Sequence, residues 1–126
     1  MKKYWAELLG TYILVFVGTG AIMINEITGG TVSNLGVGLS FGLVVMAMIY
    51  AIGDISGAHI NPAVTIAFAV AKRFPKNQIL PYISFQLLGA ILASASLYFI
   101  FPEASTMGET LPLKGNWKQS FILEFI

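Results

Sequence analysis

Few side chains in this 126-residue chain can do chemistry, and most of them sit among apolar neighbours. Glu7 and Glu124 each lie inside an apolar run, where a carboxylate is costly and is kept for function or for structure. His59 is the only histidine and cysteine is absent, which excludes disulfides, thiolate metal sites and Cys nucleophiles. His59 also lacks partner ligands, so no metal is expected. The remaining polar groups gather in Ser56-Gly57-Ala58-His59-Ile60-Asn61-Pro62-Ala63-Val64-Thr65. Asn61 is a strong N-cap type, and Pro62 suits the first position of a helix. The chemistry on offer is hydrogen bonding and helix-end electrostatics. No catalytic residue and no cofactor is expected.

The elements that must position these groups follow from composition. Hydrophobic residues make up 56% and charged residues 10%, and mean hydropathy is +0.79. Soluble domains carry about 25% charged residues. Seven Lys and Arg against six Asp and Glu leave no basic surplus for nucleic acid. The chain reads as an integral membrane protein with spans at about 4–24, 35–52 and 79–101. Tyr4 and Trp5 fit an interfacial belt, Pro81 lies in the first turn of span three, and Pro102 marks its end. Span one is too long for a signal peptide and lacks a cleavage site. Residues 25–34 and 103–116 are polar loops, and the chain turns apolar again from Trp117. Lys2, Lys3, Lys72, Arg73 and Lys76 share one side, against Lys114 and Lys118 on the other. This imbalance predicts a cytoplasmic N-terminus in a multi-pass protein of the cell membrane.

Residues 53–78 do not span. Pro62 to about Arg73 is specified as a helix by Asn61 and Pro62 at its start and by Lys72, Arg73 and Pro75 at its end. At 1.5 Å per residue it crosses roughly half of a ~30 Å hydrocarbon core. Gly53 to Ile60, with Asp54, Ser56 and His59, is expected to be extended and to survive at membrane depth only inside protein or beside water. A surface helix on a polar loop is the alternative, but Ile66-Ala67-Phe68-Ala69-Val70-Ala71 has no polar face. The expected arrangement is a re-entrant loop with the helix N-terminus at the membrane centre.

The Ser56–Thr65 run resembles the signature of the aquaporin, or major intrinsic protein, family, with Asn61-Pro62-Ala63 as its central triplet. Ala6-Glu7-Leu8-Leu9-Gly10-Thr11 resembles the family's first-helix motif, and Phe74-Pro75, Gln86 and Gly89 also fit. The resemblance implies an all-α, aquaporin-like membrane protein: three spans, one re-entrant half-helix and the start of a fourth span. Phe121-Ile122-Leu123-Glu124-Phe125-Ile126 parallels Tyr4-Trp5-Ala6-Glu7-Leu8-Leu9. Residues 1–117 are therefore expected to be the first repeat, and 118–126 the beginning of a truncated second.

The same resemblance implies a passive water channel that excludes protons and ions. In it the carbonyls of Gly57, Ala58, His59 and Ile60 form an acceptor ladder, and Asn61 donates to passing water. Pro62 and Ala63 are structural, and Glu7 and Glu124 brace re-entrant loops, proton relay being the rival role. Phe41 stands at the family's aromatic constriction, or else is a packing or lipid-facing residue. Rival functions are a channel for glycerol or another small neutral solute, half of a secondary transporter, and a non-conducting packing module. The implied partners are water or a small neutral solute, the lipid bilayer and, in a homotetramer, further copies. Gly38–Gly42 and Gly89–Ala93 have the spacing of close helix contacts.

Overall fold

The computed structural model describes residues 1–112 and 115–126. Lys114, part of the charge balance above, lies outside the described residues. Five α-helices follow in order among the described residues: α1 (Lys2–Ile27), α2 (Ser33–Ser56), α3 (Pro62–Val70), α4 (Ile79–Ile100) and α5 (Trp117–Phe125). α1, α2 and α4, the last with the 3₁₀ turn Lys76–Gln78 before it, are long and apolar enough to cross a membrane. α3, with nine residues, is not.

α1 extends beyond the expected 4–24 at both ends. Its 26 residues reach about 39 Å, so Lys2 and Glu26 can stand outside a ~30 Å apolar layer. The turn into α2 is closed by side chains. Asn25 Oδ1 accepts from the Ser33 amide at 2.8 Å, and Ser33 Oγ accepts from the Gly36 amide at 3.2 Å.

Two boundaries correct the sequence reading. α2 does not stop at Ile52 but runs through Gly53, Asp54 and Ile55 to Ser56, so these residues are helical and not extended. Its buried face carries on through Ile52 and Ser56 while Asp54 and Ile55 stay exposed, and this outweighs the ~1 kcal/mol a helical glycine costs. Gly57, left-handed at φ +87°, ends it. α3 stops at Val70 and not near Arg73. Lys72 turns left-handed (φ +58°), its amide bonds the Ala69 carbonyl, and the Arg73 amide reaches back to Phe68. This paired closure is a Schellman motif, which takes up the last carbonyls of the helix.

α1 lies between α2 and α4, and α3 packs on α4. α1 and α4 approach closely at Gly89, where an added Cβ would stand 2.3 Å from the Leu8 carbonyl oxygen and 3.1 Å from the Tyr12 nitrogen. Ala93, Leu97 and Met23 continue this seam, fully buried. Without a hydrophobic driving force between helices in lipid, such backbone approach is what binds them. Gly38 and Gly42, expected in a similar contact, have nothing within 4 Å of an added Cβ. They are unused by the described chain because neither α1 nor α4 crosses that face of α2.

Gly89→Val should therefore destabilise the bundle by about 2 kcal/mol through overpacking against fixed backbone. Gly38→Ala and Gly42→Ala, with open space around the added Cβ, should not destabilise the isolated protein and should stabilise it by up to ~1 kcal/mol each. Thermal unfolding in detergent separates the two classes.

Candidate functional site

The chain enters and leaves the site from one end of the bundle. The C-terminal turns of α2 (Ile52, Ile55) flank Lys2 and Trp5, and Lys3 Nζ hydrogen-bonds Gln78 Oε1 just before α4. From that end the backbone runs inward. Ile60 packs on Gly10, and Gly57 to Asn61 line a groove with Leu14, Val45 and Ile49. α3 then returns, and its last residues meet Lys72, Lys76 and Ile79. Gly10 and Leu14 lie about 12–18 Å along α1 from Lys2, so Asn61 sits near the middle of the bundle. Lys2, Lys3, Lys72, Arg73 and Lys76 all belong to the entry end.

Glu7 holds this excursion in place. It is fully buried. Its Oε1 accepts from Ser56 Oγ at 2.6 Å and from the His59 amide at 3.0 Å; its Oε2 accepts from the Ile60 amide and from Gln86 Nε2, both at 2.7 Å. All four partners donate, so the carboxylate acts purely as an acceptor. Charge-assisted hydrogen bonds of this kind are the strong ones. Ser56 Oγ in turn accepts from the Ala58 amide at 3.1 Å, and Tyr82 donates its hydroxyl to the Ser56 carbonyl at 2.8 Å.

The backbone held this way is strained. Ala58 (φ +47°) and Ile60 (φ +41°) are both left-handed, which costs an L-residue about 1–2 kcal/mol each. The amides of 58, 59 and 60 all point to Ser56 or Glu7. Among the described residues, no hydrogen bond is accepted by the carbonyls of Gly57, Ala58, His59 or Ile60.

His59 is fixed by its side chain. Nδ1 lies 3.0 Å from Thr65 Oγ1, and the ring stacks on Phe68 (4.9 Å, 20°) and meets Phe74 and Tyr82 at 4.8 and 5.2 Å. Thr65 accepts from Gln86 Nε2 at 3.0 Å, linking α3 to α4. Asn61 caps α3 through Oδ1, which accepts from the Ala63 amide at 2.8 Å. That leaves its Nδ2 hydrogens for the groove, whose volume is about 390 Å³.

Of the residues singled out in the sequence, Gly57, Ala58, His59, Ile60 and Asn61 line one groove, with Pro62 and Ala63 opening α3 beside it. Phe41 is not in that groove. Its ring lies over Gly18, four residues and about 6 Å beyond Leu14 along α1. Glu124 is exposed on α5, away from the Glu7 cluster. Ser56, Thr65, Tyr82 and Gln86 had no assigned role in the sequence reading. Thr65 and Gln86, polar residues inside apolar runs, carried a signal; Tyr82 carried none.

A multi-pass bundle with a half-length helix whose capped N-terminus stops in mid-bundle defines an all-α membrane protein of re-entrant design. The family model for Major intrinsic protein matches residues 1–126. The chain is 47% identical over 127 residues to Aquaporin NIP1-1 of Oryza sativa subsp. japonica, which covers 100% of this chain and 44% of that relative. It is 46% identical over 134 residues to Aquaporin NIP3-1 of Arabidopsis thaliana, with 100% and 41% covered. Probable aquaporin NIP4-2 of the same plant is 49% identical over 100 residues, with 79% and 35% covered. The chain belongs to the major intrinsic protein family and has an aquaporin-like, all-helical membrane fold. It spans less than half the length of the relatives it matches.

Glu7→Gln would put an NH₂ donor where two donors now converge, leaving buried hydrogen-bonding groups unpaired at a cost of about 3 kcal/mol. Hydrogen exchange should speed up at the His59 and Ile60 amides and stay unchanged in the central turns of α1.

Proposed function

We propose that the protein, in its full reading frame, is a passive channel for water, conducted in single file past Asn61. The observation that carries this is the division of labour in the Asn61 side chain: Oδ1 caps α3, and Nδ2 is left for the groove. A water that accepts from Nδ2 turns its own hydrogens away from its neighbours and interrupts a proton wire. The unpaired carbonyls of Gly57 to Ile60 supply the acceptors that replace bulk hydrogen bonds on the approach. The positive end of the α3 dipole, aimed into the bundle, repels cations and protons. Phe41 narrows the passage further along α1. Its bulk favours water; glycerol or another small neutral solute is the alternative cargo, which the relative permeability decides.

In this reading residues 1–117 form the first repeat, and 118–126 open a second that supplies the facing wall of the groove. The basic entry end faces the cytoplasm of the cell, in keeping with the charge bias. Gly38 and Gly42 on the open face of α2 are available to a helix of another copy in a homotetramer.

Asn61→Asp tests the proposal cleanly, because aspartate caps a helix as well as asparagine and so spares the fold. It removes the amide donor and adds a negative charge to the groove. Stopped-flow swelling of proteoliposomes should show osmotic water permeability reduced by an order of magnitude. Full permeability in correctly inserted mutant protein would remove Asn61 from the conduction path.

A further inference from the structure

Glu26, in the last turn of α1, gathers a second set of donors that the conduction chemistry above does not use. Its Oε1 accepts from the Ser105 amide at 3.1 Å and from the Ser105 hydroxyl, and its Oε2 accepts from Thr106 Oγ1 at 2.7 Å. Both residues belong to the linker that follows α4, about 80 positions away in sequence. Directly after this clasp, Met107 (φ +50°) and Gly108 (φ +75°) turn the linker inward. Gly108 comes to rest on α1: an added Cβ would stand 2.6 Å from Thr19 Cγ2 and 3.6 Å from the Thr19 carbonyl oxygen. Thr19 lies seven residues, about 10 Å, back along α1 from Glu26. Its neighbour Gly18 is the residue covered by the Phe41 ring. The linker thus descends from a clasp at the helix end to the level of Phe41.

We propose that Glu26 is a positioning residue for selectivity, latching the Ser105–Gly108 linker against α1 so that it narrows the outer mouth of the pore at the level of Phe41. This rests on the channel reading above. Three donors from two adjacent linker residues converge on this one exposed carboxylate, and hydrogen bonds to a carboxylate are stronger than neutral ones. Two left-handed residues in succession make the inward turn sharp enough to reach Thr19, and glycine is the residue that fits there. Releasing the clasp widens the mouth without touching Asn61 or the carbonyls beside it. Water conduction then persists while solutes larger than water gain access.

The test uses the full-length protein in proteoliposomes, as wild type, Glu26→Ala and the double variant Ser105→Ala/Thr106→Val, which opens the same clasp without altering α1. Each is measured for water and glycerol permeability. A parallel Met107→Cys set is labelled with a water-soluble maleimide; this chain has no native cysteine, so peptide mapping assigns the label to the linker. Both clasp variants should label several-fold faster than wild type and show a several-fold higher glycerol-to-water ratio, with water permeability retained. Unchanged labelling overturns the latch. Faster labelling with an unchanged ratio overturns its role in selectivity. A wild-type protein that conducts neither solute defeats the channel reading itself, and the pore-mouth role with it.

Discussion

The arrangement depends on one buried carboxylate. Backbone that leaves a helix inside a membrane exposes amides that lipid cannot satisfy, each at a cost of several kcal/mol. Glu7 removes that cost for the two amides where the chain turns, at His59 and Ile60, and it draws Ser56 from α2 and Gln86 from α4 to the same point. An apolar residue at position 7 could fill the space but would leave both amides orphaned. A lysine would present donors to donors. Only an acceptor with two oxygens and no hydrogen suits four converging donors, which explains a charge in an otherwise apolar span.

From this constraint the geometry of the groove follows. Because the amides of 59 and 60 are drawn to Glu7 on α1 and that of 58 to Ser56 at the end of α2, the carbonyls of the same residues are left without a hydrogen-bond partner among the described residues. The left-handed turns at Ala58 and Ile60 are the conformational cost of holding consecutive amides on one side. The aromatic packing of His59 with Phe68, Phe74 and Tyr82 then fixes where the strained segment hands over to α3. Asn61 can cap the helix and still present a donor because capping consumes only its oxygen.

Much of this was legible in the residues. The three long helices follow from apolar length, and the start of α3 from Asn61 and Pro62, since these signals are local. The end of α2 differs from the expectation because Gly53 weakens a helix and Asp54 is costly in lipid, while the tertiary burial of Ile52 and Ser56 carries the helix on. The end of α3 was misjudged because a lysine takes the left-handed position usually left to glycine. Glu7 stood out as a buried charge, and its role as a brace was available only through family resemblance. Its partners Ser56 and Gln86 lie 49 and 79 positions away, and no spacing rule connects residues so distant in sequence. The hydroxyl of Tyr82 looks in sequence like any aromatic in a span.

The brace and the groove differ in how much of the molecule they need. Every partner of Glu7, and every residue that packs around His59, falls between Ser56 and Gln86. Among the described residues, α3 is thus positioned from α1, α2 and α4 together with Phe74 in the segment between α3 and α4. The groove is different: Leu14, Val45 and Ile49 from α1 and α2 line it together with Gly57 to Asn61, Val64 and Phe68, and Asn61, Val64 and Phe68 remain exposed. The amides behind this edge are held by Glu7 and Ser56, so its orientation depends on their hydrogen bonds. Glu124 fits the same logic from the other direction. On α5 it stands exposed, and among the described residues it has none of the donors that surround Glu7. The physics that makes Glu7 tolerable requires a comparable set of amides and polar side chains to come to Glu124 wherever that helix is buried in the membrane.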